Sequence, residues 1–243
     1  MTSPEGATGS PHGKKGAGIA SRKRILERLL SARIDQTDSE LNSFTPMQVI
    51  NSLFSFLYRG DASMKSTAVS MMGKTVAAIA EKDMERGRNV VRRLMWNLND
   101  ESGSIGWGSP EAMGEILARH EPLAREYGHI LASYTRPEGN YLENEILQRG
   151  LLWALLRVWR TRPELFTRWD PLILPYLESG DPAVRGLAAE LLGELREKQA
   201  YHALSGLMED DSEYENPMEQ DGLKRRVKDA AREALAKIQE SEH

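Results

Sequence analysis

A chain of 243 residues with 40% hydrophobic content can bury a substantial core, and a formal net charge of −4 gives no whole-molecule attraction to nucleic acid or to an anionic membrane. With no cysteine there is no disulfide, no thiol nucleophile and no thiolate metal site. No apolar run approaches the roughly 18 residues of a spanning helix, and the first twenty residues lack the apolar centre of a secretory signal, so a cytoplasmic protein without membrane association is expected.

Residues 1–20, rich in Gly, Ser, Ala, Thr and Pro, have almost nothing to bury and read as a flexible tail ahead of a single domain over 21–243. From Ser21, Ile25, Leu26, Leu29 and Leu30 share one side of a helix, while Arg22, Lys23, Arg24, Arg28 and Arg33 line the other. This most basic stretch reads either as a contact for nucleic acid or as the solvated face of a terminal helix. Pro46 opens the next helix, whose Val49, Ile50, Leu53, Phe54 and Leu57 recur at helical spacing.

A signature then appears. Asp61, Met64, Lys65, Ala68, Met71, Met72 and Gly73 return 120 residues later as Asp181, Val184, Arg185, Ala188, Leu191, Leu192 and Gly193. Arg149, Gly150, Leu151, Leu155 and Leu156 repeat part of the pattern 36 residues before the second copy, and Val227, Lys228, Ala231, Leu235 and Ile238 repeat part of it 43 residues after. A least regular copy falls near Ser109–Leu117, where Ser109 takes the basic position. Each copy follows another amphipathic stretch, around Pro46–Tyr58, Met84–Leu98, Leu123–Tyr134, Glu164–Leu177 and Gln199–Met208. Five helix pairs, none able to bury its apolar face alone, make an all-α solenoid. Strand signals are nearly absent.

The pattern of Asp, a hydrophobic residue, Arg or Lys, Ala, two hydrophobic residues and Gly resembles HEAT repeats, especially the short variety named after the phycobilisome lyases. The resemblance covers about residues 46–240. It implies a right-handed superhelix and a structural ladder of acidic and basic side chains through the stacked turns, with Asp61, Lys65, Arg149, Asp181, Arg185 and Lys228 as members.

Two insertions break the repeat, near 99–109 and 209–222. Departures are where function concentrates, because a regular solenoid needs only its spacing. The first, within Trp96–Met113, sets Gly103, Gly106, Gly108 and Trp107 before a helix start at Ser109–Pro110, with the Ser109 hydroxyl expected as the cap. Asn97, Asn99, Asp100, Glu101, Trp107, Glu111 and Glu115 then offer one aromatic anchor ringed by acceptors for a basic partner segment; the structural alternative packs Trp107 into the core and leaves Glu111 and Glu115 on a solvated face. The second, Glu209–Asp221, holds seven acidic residues and no basic ones, and reads as a mobile acidic loop or as a docking site using Tyr214 and Met218.

Of the histidines, His120, His129 and His202 lie within the solenoid, and none pairs at metal-ligand spacing. Neither a nucleophile elbow nor a phosphate loop occurs. The reading is therefore a non-catalytic scaffold or adaptor with no cofactor and no metal, binding a protein partner through the concave face and the 96–115 loop. The alternatives are a small-ligand or lyase-like protein using Trp107 and the Gly-rich turn, and nucleic-acid binding through the basic first helix. Oligomeric state is open.

Overall fold

The computed structural model describes residues 24, 27, 44–58, 62–99, 106–168, 171–218 and 223–240. The expected tail, all of the basic first helix except Arg24 and Glu27, and the candidate residues Asp61, Asp100 and Glu101 lie outside them.

Nine α-helices stand among the described residues: α1 (Pro46–Leu57), α2 (Ala62–Ala80), α3 (Met84–Leu98), α4 (Ser109–Arg119), α5 (Glu121–Ser133), α6 (Glu145–Trp159), α7 (Pro182–Leu195), α8 (Tyr201–Gly206) and α9 (Val227–Glu240). Their starts are set by side chains that satisfy the unpaired first amides. Thr45 and Gln48 form a reciprocal capping box at α1, and Asp83, Asn144 and Asp181 cap α3, α6 and α7. The five apolar residues expected on α1 are all buried, joined by Phe56.

The helices form two layers. α2, α4, α6, α7 and α9 each pack on the one before, while α1, α3 and α5 cover the first half of this stack and α8 covers α9. Small residues set the spacing. A Cβ on Gly114 would stand 2.5 Å from the Ala154 side chain, one on Gly73 2.5 Å from the Glu115 side chain, and one on Gly193 2.6 Å from the Ala234 backbone. Gly114 and the two signature glycines, Gly73 and Gly193, are therefore points where neighbouring inner helices approach too closely for a side chain, and the buried Leu, Val and Ile around them close the core. Each such side chain contributes about 1.5–3 kcal/mol of transfer free energy when fully buried.

The outer layer thins toward the C-terminus. The helix expected over Glu164–Leu177 is instead two 3-10 turns, Pro163–Arg168 and Leu174–Glu178. Pro171 and Pro175 explain the break: each lacks the amide that a helix interior needs, and each disfavours helical geometry in the residue before it. Over Gln199–Met208 the chain makes only the short α8 between 3-10 turns at Lys198–Ala200 and Leu207–Glu209.

The acidic insertion also departs from expectation. Part of it forms β1 (Glu213–Glu215), which pairs antiparallel with β2 (Lys224–Arg226) in the register Glu213 to Arg226, Tyr214 to Arg225 and Glu215 to Lys224. The acids of the insertion lie opposite the cations that immediately follow it, and opposite charges facing across a strand pair stabilise the pairing.

Candidate functional site

Two rows of ion pairs run along the inner helices. The first lies near their N-terminal ends and joins consecutive units. The Lys65 ammonium meets Glu111 Oε1 at 2.8 Å, Arg149 Nε donates to Asp181 Oδ2 at 2.9 Å, and Arg185 Nε donates to Asp210 Oδ2 at 2.9 Å. Lys228 pairs with Asp211. Asp181 is shared, since its other oxygen caps α7 by accepting from the amides of Ala183 and Val184. Burial pushes its carboxyl upward, but the Arg149 guanidinium and those two amides outweigh this and hold it below the usual carboxylate range. Asp210 is balanced the same way: burial raises it, and Ser212 and Arg185 bring it below its ordinary value.

The second row lies one to two turns further along and was not read from the sequence. Glu115, whose side chain is only 6% exposed, bridges Arg119 at 2.6 Å and Arg157 at 2.7 Å. Arg160 and Lys237 converge on Glu194 at 3.3 and 3.1 Å. The available signal was a carboxylate on one inner helix at the same depth as an arginine on the next, which becomes visible only when the register between helices is known.

Over the N-terminal ends of the stack lies the hairpin. The Tyr214 ring sits against Gly186 of α7, where a Cβ would fall 2.3 Å from a ring carbon. Its hydroxyl donates to Glu190 Oε1 at 2.7 Å, and Arg225 from β2 reaches the same oxygen at 2.6 Å. Burial and the Glu190 charge push the phenol upward, so it remains a donor. Within four residues the chain passes from α7 to the start of α2, where Ser66 Oγ donates to the Met218 carbonyl at 3.0 Å across 152 positions of sequence. Asn216 is buried on the way and accepts from the Met218 amide. Residues 213–218 are thus a strap that runs from α7, past Arg149 of α6, to α2.

The strap does not fill the space beneath it. A cavity of about 320 Å³ separates β1 from Arg149, Asp181, Pro182 and Ala183, and a second of about 310 Å³ lies among Lys65, Trp107, Ile146, Arg149 and Glu215–Pro217. Trp107 forms part of the second wall. It packs against the core, yet its indole Nε1 is buried without a hydrogen-bond partner among the described residues, as are Ser109 Oγ and Glu111 Oε2.

Of the seven residues grouped from the sequence, the five that are described do not share one surface. Asn97 is half-buried and Asn99 is exposed at the end of α3. Glu111 and Glu115 face the neighbouring inner helices and are 1% and 5% exposed, which corrects both their place in an exposed acidic rim and the solvated-face alternative. The reason is α4 itself: every residue from Ser109 to Ala118 is buried, because this helix packs between α2 and α6 and beneath α3 and α5. Ser109 is not the cap either. Gly108 takes that position in the left-handed conformation, φ 75°, pressed against the Leu57 carbonyl. His120 caps α5, its Nδ1 accepting from the Leu123 amide. Trp96 is 76% exposed, Trp153 and Trp159 pack against the core, and Trp169 lies outside the described residues. Among the described residues, no three or more His, Cys, Asp or Glu side chains gather as a metal site, and no helix is long and apolar enough to cross a membrane.

Comparison with known proteins supports the architecture. No family model matches the chain. It is 36% identical over 70 residues to an uncharacterized protein of Archaeoglobus fulgidus, a match covering 29% of this chain and about a third (34%) of that relative's length. Among solved structures it is similar to a designed armadillo repeat protein (TM-score 0.56, 15% identity, 93% of this chain and 96% of that one). It is also similar to an engineered protein (TM-score 0.54, 14% identity, 90% and 98%). The chain is a helical repeat protein with an all-α solenoid fold.

Proposed function

We propose that the protein is a non-catalytic scaffold or adaptor that binds a protein partner along the inner-helix face, with Trp107 and the turn before α4 in the contact. A helical repeat fold is consistent with such a role. The observation that carries the reading is Trp107: it lines an open cavity of about 310 Å³, and its buried indole donor has no acceptor among the described residues. Leaving a buried donor unpaired costs about 1–3 kcal/mol, which favours a partner that uncovers the indole and brings it an acceptor. Asn97, Asn99, Asp100 and Glu101 belong to the same contact, while Glu111 and Glu115 act inside the stack. The finer relationship to the phycobilisome-lyase-like HEAT group rests on the signature positions alone, and a cytoplasmic location belongs to the same reading.

The test is affinity capture with wild type and with the Trp107→Ala, Asp100→Ala double variant, followed by calorimetry on the purified captured protein. A stoichiometric complex weakened about tenfold or more in a variant of unchanged helicity supports the scaffold reading; equal binding by both removes Trp107 from it. The same open cavity favours one second reading, a small ligand held by Trp107. A thermal-shift screen with phosphates, nucleotides and tetrapyrroles separates the two, because a bound ligand raises apparent stability by mass action.

A further inference from the structure

We infer that the N-terminal ends of α2, α4, α6 and α7 form a docking groove for an extended acidic peptide segment carrying an aromatic residue, and that residues 213–218 of the chain itself occupy it as an internal competitor. The inference rests on the protein-binding reading above and names the partner's chemistry and its control.

The strap defines what the groove recognises. A notch floored by Gly186 takes an aromatic ring, with Glu190 placed to accept from a phenol. Cations follow along the same path: Lys224 pairs with Glu213 of the strap, and Arg149 and Lys65, each already bound to one carboxylate of the body (Asp181 and Glu111), line the two cavities and keep donors for a second. Ser66 ends the path with a donor for a peptide carbonyl. An extended chain presenting a tyrosine flanked by carboxylates satisfies all of these at once, and Glu213–Tyr214–Glu215 is such a chain.

The internal fit is also incomplete. Cavities of about 320 and 310 Å³ remain beside and beneath the strap, and Trp107 Nε1 has no acceptor among the described residues. A body-locking segment would fill those spaces. A tethered one need not, because tethering supplies a local concentration on the order of millimolar, which sustains occupancy by a segment whose own affinity is modest. A partner segment that fills both cavities and accepts from Trp107 displaces it.

The experiment uses a fluorescent peptide of residues 209–218 and three proteins: wild type, a variant in which residues 212–223 are replaced by a Gly-Ser linker, and that variant carrying Gly186→Ala. The linker variant is expected to bind the peptide at least about tenfold more tightly than wild type, and Gly186→Ala, whose added methyl fills the aromatic notch, is expected to abolish that binding. A helical linker variant that ignores the peptide overturns the inference, as does equal binding with and without Gly186→Ala. If the linker variant does not fold, full-length Tyr214→Ala, which undocks the strap without removing it, is read by the same criterion against wild type. The outcome is independent of the Trp107 capture: a scaffold whose partner binds elsewhere passes that test and fails this one.

Discussion

The two insertions attach to the solenoid by opposite physics. The turn Gly106–Gly108 is held by its backbone: a Cβ on Gly106 would lie 3.0 Å from the Asn97 carbonyl and one on Gly108 2.7 Å from the Leu57 carbonyl. The hairpin is held by its side chains, through Tyr214 on Glu190, Arg225 on Glu190, and the carboxylates of Asp210 and Asp211 on Arg185 and Lys228. Glycine in an insertion marked close approach to the body, and charge marked reversible attachment. The first kind of contact tolerates no added atom and is indifferent to pH. The second can be weakened one group at a time and is the better material for a surface that opens.

The sharpest way to break this comparison is Gly108→Ala. The substitution puts a β-carbon into a left-handed conformation and against a backbone oxygen that cannot move without shifting the end of α1. A loss of about 3 kcal/mol is expected, measured as a lowered urea midpoint at unchanged slope. A loss below about 0.5 kcal/mol would mean that the turn is not pinned.

Acid acts on the other insertion. Asp210 and Asp181 both titrate below their ordinary range in the folded protein, so the stability they contribute is fully present above the unfolded-state pKa and is lost as pH falls through the lower folded values. Below about pH 4 the base of the hairpin and the Arg149 link should loosen, while the Gly106–Gly108 turn has no carboxylate to lose. Hydrogen exchange at pH 7 and pH 3.5, corrected for intrinsic rates, should show protection falling first over residues 210–226. Simultaneous loss over 106–109, the turn itself, would show that the two insertions are not independently held.

What the sequence made legible follows from what repeats. The 120-residue return of Lys65, Ala68 and Gly73 as Arg185, Ala188 and Gly193 located the inner helices, because stacking demands the same small and apolar residues at each contact. The outer layer was misread over Glu164–Leu177 because apolar spacing was given more weight than Pro171 and Pro175, whose missing amides the sequence does show. Glu111 and Glu115 were misplaced for a different reason. A carboxylate reads as surface until its cation is known, and Lys65 and Arg157 lie 46 and 42 residues away. The strap was hidden most deeply. Seven acids without a base describe a solvated loop, and only the fold brings Ser66 and Gly186 to meet it.

The smallest expected effect sharpens the same contrast. Gly206 ends α8, close in sequence to the hairpin, and a Cβ there would meet nothing within 4 Å. If glycine pins the body only where its backbone touches another element, Gly206→Ala should leave stability within about 0.5 kcal/mol of wild type or raise it slightly, since alanine lowers the entropy of the unfolded chain and favours the helix. The two substitutions are chemically identical and each adds one methyl group. A difference of several-fold between Gly108→Ala and Gly206→Ala therefore reports the left-handed backbone at 108 and its Leu57 contact together, because only the unfolded-chain entropy of glycine is common to both. Equal losses would instead place the effect in backbone flexibility, and the distinction between a backbone-held and a side-chain-held insertion would fall with it.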